Sequence, residues 1–148
     1  MTEKEFKDLE KEFCDYETSV ALKELGFREK CPTYYDTEDN VGLLFNTQWT
    51  SDYMPCQFTD CLESHNSNTS DDNSYVDAPT IYQAQKWFRE NMGILLDPRY
   101  LDMIDDWICV ISYKNISRRS SSTNGMGGYE ESLAEGIKKV IATLKDSL

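Results

Sequence analysis

The N-terminal part of the chain mixes apolar and charged residues with the spacing of an amphipathic helix. The pattern covers Thr2–Phe27 and predicts a helix that ends at Gly26, because glycine readily takes the left-handed conformation of a helix terminus. A second interpretation places a break near Cys14–Asp15, where an aspartate side chain suits the start of a separate helix. In that case Met1–Phe13 forms a loosely attached arm, and Tyr16–Leu25 is the packed helix.

Two further stretches have the same spacing, and both predict helices. One begins at Ala78-Pro79-Thr80, with proline as its first helical residue, and ends at Gly93. The other covers Tyr129–Leu148. Because an apolar stripe on a helix is stabilised mainly by burial, both stripes are predicted to lie in the core. Their residues are Ile81, Ala84, Trp87 and Phe88 in the first helix, and Leu133, Ile137, Val140, Ile141, Leu144 and Leu148 in the second.

Shorter apolar runs predict strands. These runs are Thr33–Tyr35, Val41–Phe45, Ile94–Leu96 and Asp106–Tyr113. The polar residues Asp36–Asn40 suit a hairpin turn between the first and second runs. The last run carries apolar residues on both faces, which is typical of a central strand. The resulting order, α-β-β-α-β-β-α, predicts an α+β fold with a small antiparallel sheet and helices packed on one face.

The length of 148 residues fits one ordinary domain, so residues 1–148 are predicted to form a single domain. A polar segment at about 46–77 interrupts the pattern, and its centre, Ser64–Ser74, consists almost wholly of residues that favour turns and loops. We therefore expect a mobile acidic loop in this segment. A second polar loop, rich in serine and glycine, is predicted over Asn115–Gly128.

The charge of the chain is strongly negative. Acidic residues outnumber basic ones by 27 to 15, and the net charge is −12. The excess is concentrated in residues 36–77, which contain nine carboxylates and neither lysine nor arginine. Such a charge argues against direct binding to nucleic-acid phosphates and against docking on an anionic membrane.

The apolar residues and the cysteines predict a cytoplasmic location. No apolar run reaches the roughly 18 residues of a membrane span, and the first residues lack the apolar core of a secretion signal. The chain contains five cysteines, and an odd number with irregular spacing is typical of thiols in a reducing compartment.

One group of residues has the donor atoms of a zinc site. Cys56, Cys61 and His65 lie close together in the sequence, and Cys31 would supply a fourth ligand. Structural zinc sites usually combine two closely spaced pairs of ligands, and only one such pair is present in this group. We therefore predict that the chain binds neither a metal nor a cofactor.

Catalytic chemistry is not predicted either. The single histidine, His65, lies in the predicted mobile loop, where a cysteine–histidine pair would lack rigid support. The carboxylates of Asp102, Asp105 and Asp106 do not follow the spacing of a calcium-binding loop, and we interpret them as solvated. The sequence contains no nucleotide-binding or hydrolase motif, so we expect a protein that is not an enzyme.

Aromatic residues occur among the acidic residues in the middle of the chain. Tyrosine and tryptophan side chains surrounded by carboxylates are typical of a surface that binds a basic protein. The alternative that they form the rim of the core stays open. The predicted binding residues are Tyr34, Tyr35, Trp49, Tyr53, Asp71, Asp72 and Tyr75.

Several short sequence segments occur in an order that is typical of one group of proteins. They are Ala21–Phe27, then Cys31 with Tyr34-Tyr35, then Ala78-Pro79-Thr80 leading to Gln85–Glu90, and finally Tyr129–Ile137. Together they resemble small uncharacterised proteins encoded by gut-bacterial phages and prophages, over residues 16–35 and 78–146. That group has no established activity, so the resemblance implies a setting in the host cytoplasm and no mechanism.

We therefore predict a non-enzymatic accessory protein of phage type that acts by binding another protein, one that is basic or binds nucleic acid. One alternative is a nucleic-acid mimic, whose spaced carboxylates imitate phosphates and occupy a host DNA-binding protein. A second alternative is a small enzyme with a pocket that the sequence does not reveal. Ordered rows of carboxylates would favour the mimic, and a deep pocket with titratable groups near Trp107 would favour the enzyme.

Overall fold

The computed structural model describes residues 2–38, 43–45, 75–114, 120–125 and 127–146. In these ranges the helices are α1 (Glu3–Glu10), α2 (Tyr16–Leu25), α3 (Ile81–Trp87) and α4 (Tyr129–Asp146), and the strands are β1 (Thr33–Asp36), β2 (Leu43–Phe45), β3 (Tyr75–Asp77), β4 (Ile94–Leu101), β5 (Asp106–Tyr113) and β6 (Ser120–Ser122). All of the strand pairs are antiparallel. The structure therefore confirms an α+β fold with small antiparallel sheets.

The chain divides into two compact units. The middle unit comprises Asp15–Pro79, and the terminal unit comprises Met1–Cys14 together with Thr80–Leu148. Each unit contains a three-stranded sheet, so the strands that were expected in one sheet are distributed over two. The single domain over residues 1–148 stays a prediction.

The N-terminal amphipathic stretch forms two helices, as in the second interpretation of its sequence. The Asp15 carboxylate accepts a hydrogen bond from the Thr18 N–H at 2.8 Å and caps α2. At the other end of α2, Gly26 has a φ of 102°, a value that favours glycine. The helix α1 has its own cap, because the Thr2 hydroxyl accepts from the Glu5 N–H at 3.2 Å.

The sheet of the middle unit has the order β2-β1-β3, and α2 packs against β3. Its strand β3 occupies the last three residues of the segment 46–77, which was predicted to be a loop. A run of three residues is too short for a recognisable pattern, and β3 is held by its pairing with β1, about 40 residues earlier in the chain. Residues 46–74, including Ser64–Ser74, lie outside the described residues.

The helix α3 begins two residues later than predicted, at Ile81 instead of Pro79. The Thr80 hydroxyl accepts a hydrogen bond from the Gln83 N–H at 3.0 Å, so Thr80 is the N-cap and Pro79 precedes the helix. After Trp87 the backbone continues as a π-helical turn over Phe88–Met92, and it ends at Gly93 as expected. The apolar residues predicted for the core, Ile81, Ala84, Trp87 and Phe88, are all buried.

The sheet of the terminal unit has the order β4-β5-β6, which confirms β5 as a central strand. The predicted strand Ile94–Leu96 is extended to Leu101, and β6 lies in the predicted loop Asn115–Gly128. The strand β6 consists of three serines, a residue type that favours loops, and it is stabilised by its pairing with Val110, Ile111 and Ser112 of β5.

The helix α4 covers β4 and β5 with the predicted apolar stripe. Its residues Leu133, Ile137, Val140 and Ile141 are buried, whereas Leu144 is half-buried and Leu148 lies outside the described residues. None of the helices in the described ranges has both the length and the apolar character that crossing a bilayer requires.

Candidate functional site

A four-residue turn, 102–105, joins β4 to β5 in the terminal unit. The turn is closed by hydrogen bonds of 3.3 Å from the Ile104 N–H to the Leu101 carbonyl and from the Asp105 N–H to the Asp102 carbonyl. Asp105 has a φ of 49°, in the left-handed region that aspartate tolerates better than most residues. The strands therefore remain paired to their ends, and the turn is held at the end of a regular hairpin.

The end of this hairpin exposes large apolar side chains to solvent. Met103 is 98% exposed and Ile104 is 53% exposed, while Tyr100 and Leu101 are 44% and 37% exposed. We call residues 101–105 the hairpin tip. Single exposed apolar residues are common, but a contiguous group of them is typical of an interaction site.

An aromatic row lies beside the hairpin tip and consists of Tyr100, Trp107 and Tyr129. The ring centroids of Tyr100 and Trp107 are 5.7 Å apart, and those of Trp107 and Tyr129 are 5.4 Å apart. Tyr100 and Trp107 are directly opposite each other in the β4–β5 register, and alternation along β5 places Trp107 on the face that carries Cys109. Gly136 of α4 lies against Cys109, so α4 covers the face of the sheet that carries Cys109. The aromatic row lies on the same face, near the first residue of α4.

Carboxylates accompany the aromatic row along its length. The Tyr100 hydroxyl donates to Asp105, and the Asp106 Oδ1 accepts from the N–H groups of Trp107 at 2.8 Å and Gly127 at 2.6 Å. The bonds to Asp106 attach the start of β5 to the loop that leads into α4. The hydrogen bond to Asp105 raises the pKa of the Tyr100 hydroxyl.

A further tyrosine and carboxylate lie where α3 meets α4. The Tyr82 hydroxyl donates to the Glu130 Oε1 at 3.2 Å, and Tyr82 is exposed. Partial burial and the negative charge of Glu130 raise the pKa of Tyr82 to about 12. Burial, the larger cause at Tyr82, disfavours charge of either sign, whereas the carboxylates of Glu130 and Asp105 attract a positively charged ligand.

The structure brings together only part of the predicted binding residues. Alternation along β1 and its pairing with β3 place Tyr34, Asp36 and Tyr75 on one face of the middle sheet, where the rings of Tyr34 and Tyr75 are 5.5 Å apart. Tyr35 points to the opposite face and contacts Tyr16 of α2, with ring centroids 5.7 Å apart. The remaining predicted residues, Trp49, Tyr53, Asp71 and Asp72, lie outside the described residues.

Of the four candidate metal ligands, only Cys31 lies in the described residues. Cys31 is buried, and its thiol donates to the Glu29 carbonyl at 3.5 Å. Cys56, Cys61 and His65 lie outside the described residues. Among the residues that the structure does describe, no three potential ligands are grouped as a metal ion would require.

The terminal unit also contains a buried thiol and a polar groove. Burial raises the pKa of Cys109 to about 11, so this thiol is protonated at neutral pH and serves in packing. The groove, about 420 Å³ in volume, lies between β6 and α4 and is lined by Thr123, Glu135 and Lys139, among others. The Thr123 hydroxyl accepts a hydrogen bond from the Cys109 N–H and therefore holds the sheet together.

The hairpin tip was missed because Asp97-Pro98 resembles the end of a strand. Proline fits here because β4 is an edge strand of its sheet. The carboxylates of Asp102 and Asp105 are exposed, in agreement with their interpretation as solvated. The useful signal was the presence of Met103 and Ile104 between two strands, where polar turn residues are the rule.

Comparison with known proteins gives no relative for this chain: no family model, no curated protein and no solved structure matches it.

Proposed function

We propose that this protein is a non-enzymatic accessory protein that acts by binding another protein through its hairpin tip. The observation that carries the proposal is the exposure of Met103 and Ile104 at the end of a fully paired hairpin. Methionine is common on binding surfaces because its flexible, polarisable side chain adapts to the partner. The carboxylates Asp102 and Asp105 flank both residues and keep the free protein hydrated.

Burial of the hairpin tip would supply a substantial part of the binding energy. Full burial of a Met or Ile side chain is worth about 1.5–3 kcal/mol relative to an exposed one. The backbone of the tip is already fixed by two turn hydrogen bonds, so little further ordering of the chain opposes binding. A short apolar tip of this kind fits a pocket on the partner, where such residues usually contribute most of the affinity.

The partner that suits this surface is basic. Asp102 and Asp105 lie within the hairpin tip, and the whole chain has a net charge of −12. A second copy of the chain would bring carboxylates against carboxylates, which disfavours self-association through this surface. A basic protein that binds nucleic acid carries the positive charge that this surface attracts. Its presence in the cytoplasm of a phage-infected bacterium agrees with the resemblance to phage proteins.

The proposal predicts that the apolar side chains of the hairpin tip determine the affinity for the partner. We expect Met103→Ser/Ile104→Ser to weaken binding by about tenfold or more, because the lost burial is worth at least about 1.4 kcal/mol. Met103→Leu/Ile104→Val is the matched control, since it keeps an apolar tip and should keep most of the affinity. The measurement is titration calorimetry with a protein captured on the wild-type chain from host lysate.

Thermal unfolding of both variants checks that the fold is intact, which we expect because Met103 and Ile104 are exposed. Equal affinity of the serine variant and the wild type would contradict the proposal, as would a lysate in which the wild-type chain captures nothing. Loss of binding in Asp102→Asn/Asp105→Asn combined with full binding of the serine variant would instead identify a nucleic-acid mimic.

A further inference from the structure

We propose that the aromatic row beside the hairpin tip binds arginine side chains of the partner protein that the hairpin tip engages. The partner segment that contacts the row then contains arginine rather than lysine. This inference rests on the proposed function, because it concerns the partner that the hairpin tip engages. It names the side-chain chemistry of that partner.

The rings of the aromatic row provide surfaces on which a planar cation can stack. Tyr100 and Trp107 are inclined at 62°, and Trp107 and Tyr129 at 78°. Neighbouring ring faces therefore point in different directions, and a cation is attracted to the faces and not to the edges. Tyr100 is 44% exposed, and Trp107 and Tyr129 are half-buried, so Tyr100 is the most accessible of the three side chains.

Carboxylates lie at the end of the hairpin, one at the Tyr100 hydroxyl and one at the backbone of Trp107. Asp105 accepts from the Tyr100 hydroxyl, Asp106 accepts from the backbone N–H of Trp107, and Glu130 follows Tyr129 directly in α4. A carboxylate offers about four lone-pair sites, so those that already accept one or two hydrogen bonds can accept more. At Tyr100 the structure thus combines an exposed ring with a carboxylate acceptor, and Asp106 supplies a second acceptor next to Asp105.

This combination distinguishes arginine from lysine. A guanidinium group is planar, stacks on aromatic faces and donates two parallel hydrogen bonds to a carboxylate. An ammonium group is compact and strongly hydrated, and it cannot stack in this way. Arginine forms contacts with aromatic rings more often than lysine does. We therefore expect an arginine-bearing ligand to bind about tenfold more tightly than its lysine counterpart.

The test uses the full-length protein and two synthetic peptides of equal length, in which glycine alternates with arginine or with lysine. Their charges are equal, so a difference in affinity measured by titration calorimetry reports side-chain chemistry. We expect Tyr100→Leu to remove most of the preference for arginine while it leaves the affinity for the lysine peptide unchanged.

Equal affinities for the two peptides would overturn the inference, and so would a preference that survives in Tyr100→Leu. Failure of both peptides to bind would overturn it as well. The variant Met103→Ser separates this result from the proposed function. It should weaken binding of the whole partner protein and leave the affinities for both short peptides unchanged. If the protein prefers the arginine peptide but Met103→Ser binds the partner with normal affinity, the aromatic row is a binding site and the hairpin tip is not.

Discussion

Replacement of Ile137 by alanine is expected to lower the free energy of unfolding by about 2–5 kcal/mol. Ile137 is completely buried in the middle of α4, the helix that covers β4 and β5. The substitution removes three carbon atoms from a close-packed region, and the neighbouring side chains can fill the cavity only in part. A domain of this size is stabilised by about 5–15 kcal/mol in total, so the loss is a large share. Urea unfolding measures it directly.

The matched control is Lys138→Ala, one residue along the same helix. Lys138 is exposed, so its replacement should change the free energy of unfolding by less than about 0.5 kcal/mol. A model in which α4 is a detachable partner-binding helix makes the opposite prediction, since Ile137→Ala would then leave unfolding unchanged. Equal unfolding curves for Ile137→Ala and the wild type would therefore reject the packing of α4 on the sheet.

Long periodic segments were predictable because many residues contribute to one signal. In α4 the apolar stripe extends over several turns, and a few ambiguous positions do not obscure it. The strand β5 was predicted with its observed bounds because apolar residues occupy both of its faces, which only a central strand buries. These two elements form a helix packed on an antiparallel sheet, as the predicted α+β class requires.

Short elements held by distant partners were not predictable in this way. The strand β6 is a run of three serines, and β3 contains Tyr75, Val76 and Asp77. Neither run has a period long enough to recognise, and each becomes a strand because a neighbouring strand supplies hydrogen bonds to its backbone. The division of the strands between two sheets depends on these same pairings, so it was not visible either.

The candidate site illustrates a different limit. Aromatic and acidic composition placed Tyr34 and Tyr75 among the predicted binding residues, and their rings are in contact. Composition does not reveal which face of a strand a side chain occupies, and Tyr35 lies on the other face of β1. The hairpin tip depends on the solvent exposure of Met103, which is a property of the folded chain and not of the residue.

The close approach of α4 to the sheet leads to a second stability prediction, at Gly136. A Cβ atom at this position would overlap the Cys109 Sγ and lie 3.0 Å from the Cys109 Cβ and 3.3 Å from the Leu96 Cδ2. Overpacking of this kind typically costs about 1–3 kcal/mol, whereas the better helix propensity of alanine contributes at most about 1 kcal/mol. We therefore expect Gly136→Ala to destabilise the protein by about 1–2 kcal/mol, although the same change stabilises most helices.

A double-mutant cycle identifies the cause of that loss. Cys109→Ala removes the sulfur atom that the new methyl group would meet, so Gly136→Ala should be less destabilising in the Cys109→Ala background than in the wild type. The control is Ala142→Gly, at an exposed position of the same helix, which reports helix propensity alone. Urea unfolding of the single and double variants measures the coupling. If the effects of the Cys109 and Gly136 substitutions simply add, then α4 does not approach β5 at Gly136, and its first residue, Tyr129, would not be held beside Trp107.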